Sequence, residues 1–240
     1  MTMDSTADNV PDKAAGTRLV VGPFNRVEGD LEVLLDVVDG RVSSARVRST
    51  MYRGFEQILT GRPAMDALVI VPRICGICSV SQSVAAARAL EALSGAVPPP
   101  NGRHVVNLML AAENMADHVA HFYLFFMPDF ANAVYRERRW HAAAHERFAA
   151  LAGSHARQAL AARQRWFNIL GILGGKWPHT QAIQPGGSSR AVERSERIRL
   201  LARVREFRSF LEQFTFGAPL EEVAALDSEQ ALADWRARSD

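Results

Sequence analysis

Cysteine is nearly absent from this chain: 240 residues hold two, Cys75 and Cys78. Two thiols cannot build a disulfide framework, which excludes the small secreted scaffold stapled by several bridges. Long apolar runs are also lacking, and none approaches the ~20 residues that a membrane-spanning helix needs. Neither charge sign is in excess. The 28 basic and 26 acidic side chains leave a formal net charge of +2, which makes no case for nucleic acid or a strongly charged partner. The polar start of the chain lacks the apolar segment of a secretory signal. Together these absences lead to the expectation of a soluble, cytoplasmic protein in a reducing compartment, without a membrane span.

What is present suits a globular fold. Apolar residues make up 48% of the chain, enough for a substantial core, and the length allows one large domain or two small ones. Residues 1–16 are polar and small, and are expected to form a disordered tail because they cannot bury enough surface to offset ordering entropy. From Arg18 to Ser49 the pattern is β: Leu31, Val33 and Leu35 alternate with Glu32, Leu34 and Asp36. Asp39-Gly40 is a hairpin turn dipeptide, and Val42 to Val47 returns as a strand. Helical runs follow at Pro63–Val71, Val84–Leu93, Arg103–Phe126, His155–Ile172 and Arg190–Phe216. They are interrupted at Val97-Pro98-Pro99-Pro100-Asn101-Gly102 and at Gly217-Ala218-Pro219. The predicted class is α+β, mainly α, with a helical bundle core and a small N-terminal antiparallel sheet; residues 17–240 are taken as one domain portion.

The informative stretch is Arg73-Ile74-Cys75-Gly76-Ile77-Cys78, a C-x-x-C pair just before an Ala-rich helix. Gly76 is expected to let the backbone turn so that both sulfurs converge. Arg73 and the helix N-terminus are expected to favour thiolate, the metal-binding form. On these residues alone three readings stay open: two buried structural thiols, a thiol–disulfide pair, or half of a soft-metal site whose other ligands come from elsewhere.

The longer pattern narrows them. Arg53-Gly54-Phe55-Glu56 is followed by sixteen residues, then Arg73-x-Cys75-Gly-x-Cys78, then three residues and Gln82. This resembles the N-terminal signature of nickel–iron hydrogenase large subunits, RGxE-x16-RxCGxC-x3-H, with Gln82 in place of the usual His. The ending Cys78-Ser79-Val80-Ser81-Gln82-Ser83 looks most like the regulatory, hydrogen-sensing branch. The resemblance extends to Arg26-Val27-Glu28-Gly29, to His121-Phe122-Tyr123 through Asp129, and to the Gly174–His179 segment.

That resemblance implies a function and a set of roles. The reaction is reversible cleavage of H2 to protons and electrons, used for sensing. The cofactors are a nickel–iron centre with diatomic ligands on iron, Mg2+, and iron–sulfur clusters on a small-subunit partner. A sensor histidine kinase is a further partner. Cys75 is implied as a nickel-only ligand and Cys78 as a ligand bridging nickel and iron, since soft thiolates suit these metals. Glu28 is implied as the proton relay, a desolvated carboxylate that can take the proton left on a cysteine sulfur. Glu56 would bind Mg2+ through hard oxygen. Asp129 would belong to the polar canopy over the metals. Ile77 and Phe125 would narrow the gas route, and His179 would face the small subunit. Gln82 donates a hydrogen bond as a histidine would but cannot take a proton.

Other histidines and acids are read plainly. His121 and Tyr123 are expected in the core, and His141 and His145, crowded by arginines, on the surface. The family's second cysteine pair, DPCxxCxxH, has no counterpart after Cys78. The chain therefore resembles the N-terminal half of a large subunit and is expected to be inactive alone. A truncated, non-catalytic protein that binds a small-subunit-like partner is the alternative.

Overall fold

The computed structural model describes residues 16–24, 27 and 29–239. The expected tail, apart from Gly16, and Glu28 both lie outside the described residues. The chain divides into two compact units, residues 1–54 and 55–240.

The first unit is a three-stranded antiparallel sheet in the order β1 (Thr17–Phe24), β2 (Leu31–Val38), β3 (Arg41–Ser49). The hairpin sits where expected: Asp39 and Gly40 both take positive φ, 50° and 73°, the geometry that matches the twist of the flanking strands. The expected β region thus contains an additional strand, β1, pairing Leu19 with Leu35 and Val21 with Val33. Alternation sorts the side chains of β2. Val33 and Leu35 oppose Val47 and Ala45 on one face. On the other, Asp36 takes Arg18 Nε at 2.7 Å and Arg46 Nη2 at 3.2 Å, and Glu32 takes Arg48. The neighbouring Arg18 guanidinium holds the Asp36 carboxyl below its usual range.

The second unit is helical. Short helices α1 (Phe55–Leu59) and α2 (Ala67–Ile70) lead through a 3-10 turn at Val71–Arg73 to the C-x-x-C. Helix α3 (Ser79–Ser94) begins five residues before the sequence expectation and ends at Gly95, whose φ of 72° makes the left-handed cap that a side chain would resist. Helix α4 (Pro100–Ala120) starts within the proline run, because a proline in the first turn has no amide that needed a partner. It passes into a π-helical turn at His121–Phe126 and then α5 (Met127–Phe130). Helices α6 (His141–Phe148), α7 (Ser154–Trp166) and α8 (Asn168–Gly174) follow, with a two-residue ribbon, β4 (Ile183–Gln184) and β5 (Gly187–Ser188). The unit closes with α9 (Arg194–Phe210), a second π-helical turn (Leu211–Phe216), α10 (Leu220–Ala224) and α11 (Glu229–Ser239).

Small residues set the core. Ala86 and Ala87 on α3 and Ala112 and Ala116 on α4 are buried, around Val80, Met109, Ile169, Leu170 and Leu173. Trp166 anchors α7 to α4 by donating its indole N–H to the Ala112 carbonyl at 2.7 Å, and it stacks on Phe207 of α9 at 4.3 Å between centroids. The two π turns meet through Tyr123, buried as expected, whose hydroxyl lies 3.1 Å from Thr215 Oγ1. His121 is a correction: it is exposed, with its ring against Phe125. A turn that changes helical pitch rotates neighbouring side chains, and only Tyr123 is carried inward. His141 is a correction in the other direction. It is buried, with Nε2 3.3 Å from the Ala131 carbonyl, while His145 is exposed.

Candidate metal centre

The two thiols sit in a tight turn between the 3-10 turn and α3. Cys78 is the N-cap of α3, and its backbone N–H donates to Cys75 Sγ at 3.3 Å. Both thiols are free and half-buried. Gln82, one helical turn on, points its amide Nε2 at Cys78 Sγ at 3.8 Å. Gly76 is not held there by a left-handed backbone. A Cβ at that position would meet nothing nearer than His179 Nε2, at 3.9 Å. The glycine therefore opens the turn toward the His179 ring.

His179 reaches the turn from the loop after α8. Its φ is 62°, a left-handed conformation that costs a residue with a side chain about 1 kcal/mol. Its backbone N–H is received by Ser79 Oγ at 3.2 Å, and its Nδ1 is buried without a hydrogen-bond partner.

Glu113, on α4, is the residue that reasoning from sequence left out of the site. It is 2% exposed and accepts four hydrogen bonds. Oε1 takes Val80 N and Trp177 Nε1, both at 2.9 Å, and Oε2 takes Ser81 N at 2.9 Å and Ser81 Oγ at 3.1 Å. Trp177 in turn stacks on Phe167 at 4.4 Å, with the Arg163 guanidinium over both rings. The only local signal was a glutamate on an apolar helix face, which is common; its partners lie far away in sequence.

Glu113 also corrects the expectation for the thiols. Arg73 is exposed, and the first free amides of α3 are taken by the carboxylate rather than left for sulfur. The Cys78 thiol is pushed up to about 11, first by burial and then by the Cys75 thiol, with the Glu113 charge adding to the rise and the Gln82 amide opposing it. The Cys78 thiolate is therefore disfavoured in this turn.

The other candidates are spread over the helical unit. Glu56 is exposed on α1, Asp129 is exposed on α5, Ile77 is 44% exposed in the turn and Phe125 43% exposed in the first π turn. Cys75, Cys78, Gln82 and His179 come together. Among the described residues no group of three or more His, Cys, Asp and Glu gathers in a way that could hold a metal, and no helix is long and apolar enough to cross a membrane.

Comparison with known proteins addresses the turn directly. Residues 53–149, which include it, match the family described as nickel-dependent hydrogenase. The large subunit of the periplasmic [NiFeSe] hydrogenase of Desulfomicrobium baculatum is 30% identical over 208 residues, 81% of this chain and 40% of that protein. The uptake hydrogenase large subunit of Rhodobacter capsulatus is 37% identical over 121 residues, 50% of this chain and 20% of that protein. The reduced Ni-Fe-Se hydrogenase from Desulfovibrio vulgaris Hildenborough superposes with a TM-score of 0.65 at 32% identity, over 82% of this chain and 42% of that one. The chain shares the family and fold of nickel-dependent hydrogenase large subunits, over their N-terminal portion. It spans about two fifths of the length of these [NiFeSe] relatives.

Membership of the hydrogenase family implies a nickel–iron centre, and the turn fits one in kind. Two soft sulfurs converge through the amide-to-sulfur bond, and the ring of His179 lies across a glycine from them. They are the two cysteines of the chain.

Proposed function

We propose that this chain forms part of the large subunit of a nickel–iron hydrogenase, acting in H2 = 2 H+ + 2 e−, with electrons leaving through iron–sulfur clusters of a small-subunit partner. The observation that carries this is the thiol turn itself: within the segment that matches the family, the Cys78 amide binds Cys75 sulfur and Gln82 faces Cys78 sulfur. The nickel–iron pair, when bound, would supply the centre at which H2 is polarised. Cys75 and Cys78 would hold it as thiolates, and binding would release their protons. Gln82 donates toward Cys78 and orients that sulfur. Glu28 would act as the proton relay, and Asp129 would belong to the polar canopy over the metals. Glu56 would bind Mg2+, and His179, beside the turn, would face the small subunit. Two thiols cannot complete the site, so the chain alone should lack activity and needs the second cysteine pair from elsewhere.

The test is metal analysis and H2/D2 exchange on the chain alone and on an assembly that supplies a small subunit and the second cysteine pair. Nickel and iron should appear with exchange in the assembly only, and be lost in Cys75→Ser and Cys78→Ser. Metal content and exchange that survive both serines would end this reading.

Hydrogen sensing, with a histidine kinase as downstream partner, is a second reading favoured by Gln82. An amide can hold the sulfur but cannot titrate, which suits slow turnover. The relatives named above are periplasmic and uptake enzymes, so sensing rests on that residue and its flanking sequence. A cytoplasmic location likewise rests on the sequence alone, whose two cysteines suit metal better than a disulfide framework. In the assembled enzyme Ile77 and Phe125 would narrow the gas route. Gln82→His should change turnover or signalling, and unchanged values of both would remove the sensing argument.

A further inference from the structure

Four donors converge on the two oxygens of Glu113, from three separate places: the backbone of α3 just after Cys78, the Ser81 hydroxyl, and the indole of Trp177. Carboxylates only accept, so every one of these contacts has the right polarity. Val80 and Ser81 are two and three residues beyond Cys78, the N-cap of the same helix. Fixing those amides fixes where the helix begins, and with it where the Cys78 sulfur points. Trp177 is two residues before His179, whose own amide is held by Ser79. One carboxylate thus ties the helix that carries Cys78 to the loop that carries His179.

We infer that Glu113 is a positioning residue of the thiol turn, holding the Cys78 end of α3 in register with the Trp177–His179 loop. This rests on the reading of Cys75 and Cys78 as metal ligands. Glu113 touches neither sulfur; it acts through the backbone that bears one of them. Glutamine is its near-isostere and keeps the packing. Its NH2 group, however, must face either Ser81 N–H or the pair of donors from Val80 and Trp177. Two hydrogens then point at each other, and the helix end shifts to separate them. Partners one step removed from a metal's ligands typically change metal affinity by roughly 10–100-fold, because ligand atoms must be held to within about 0.5 Å.

The experiment titrates the 240-residue chain with Co2+, a single ion that two thiolates and water can hold without completing the nickel–iron site, and follows the thiolate-to-cobalt charge-transfer absorption, which reports sulfur ligation without any enzymatic turnover. Glu113→Gln should weaken Co2+ binding by roughly 10–100-fold and alter the band, with helical content unchanged. Trp177→Phe, which removes one donor and keeps the carboxylate, should weaken it severalfold and serves as the readout if Glu113→Gln does not fold. Glu91→Gln is the control: Glu91 is also on α3 and accepts from the Gly186 amide at 3.0 Å, away from the turn, and should leave the affinity unchanged. Wild-type affinity and band in both Glu113→Gln and Trp177→Phe would overturn the inference. Absence of the band in the unaltered chain would overturn the ligand reading and the inference with it, and is distinguished by the unaltered chain itself failing.

Discussion

Replacing Glu113 by leucine tests how much of the helical unit hangs on one carboxylate. The change leaves three N–H donors without their acceptor: Val80 N, Ser81 N and Trp177 Nε1. The Ser81 hydroxyl can turn elsewhere. Stranding a buried donor costs roughly 1–3 kcal/mol. The Val80 amide is fully buried and bears the upper end of that range, whereas Ser81 and Trp177 are partly buried and water can reach them. Leucine recovers some apolar burial, and the cost of keeping a charge out of water disappears, which together offset part of the loss. The expected net is about 3–5 kcal/mol, a large fraction of the roughly 5–15 kcal/mol that holds a typical domain folded. Urea unfolding of the metal-free chain, followed by helical circular dichroism, should show the midpoint falling with little change in slope. Glu113→Gln should fall between leucine and the unaltered chain. A leucine variant within about 1 kcal/mol of the unaltered chain would refute the reasoning, because one fully buried and two partly buried donors cannot lose their acceptor that cheaply.

Trp166→Phe keeps the stack on Phe207 but removes the indole donor to the Ala112 carbonyl, which keeps its place in the hydrogen-bond ladder of α4, and should lower stability by roughly 0.5–1.5 kcal/mol in the same urea assay; no change would mean the 2.7 Å bond contributes nothing net. Because the Cys78 thiol is pushed up to about 11, its alkylation by iodoacetamide, read by peptide mass spectrometry, should keep accelerating through pH ~9–10, above the ~8.5 at which a free thiol levels off. A plateau near the ordinary thiol value would contradict the burial argument. Asp36 has a depressed pKa from Arg18, so its contribution to the sheet is present above the unfolded value and lost as pH falls through the folded one. An NMR titration should find Asp36 below the ordinary carboxyl range, and Arg18→Gln should return it toward that range.

Local chemistry was legible along the chain. The Asp39-Gly40 turn, the alternation in β2 and the helix before Gly95 follow from short-range sterics and periodicity, and the structure has them close to where they were expected. The C-x-x-C was also legible, and the resemblance pointed Gln82 at Cys78; the contact itself depends on α3 starting at Ser79, which puts Cys78 and Gln82 one helical turn apart. Tyr123 inside and His121 outside were not separable in advance, since a π turn changes the pitch on which a face is counted. The burial of His141 depended on a carbonyl offered by Ala131, ten residues away. β1 became a strand by pairing with β2, a partner that its own residues do not announce.

By itself the amino-acid order determined the spacing of Arg53, Glu56, Cys75, Cys78 and Gln82, and with it the family, because those positions are covalently fixed relative to one another. The surroundings of the sulfurs were decided in three dimensions. Glu113, Trp177 and His179 meet the start of α3 across separations of 33 and 32 residues to Val80 and Ser81, 64 between Trp177 and Glu113, and 100 between His179 and Ser79. Burial forces such groups to find partners, since an unpaired amide or carboxylate away from water is costly. Which partners they find depends on how the helices pack.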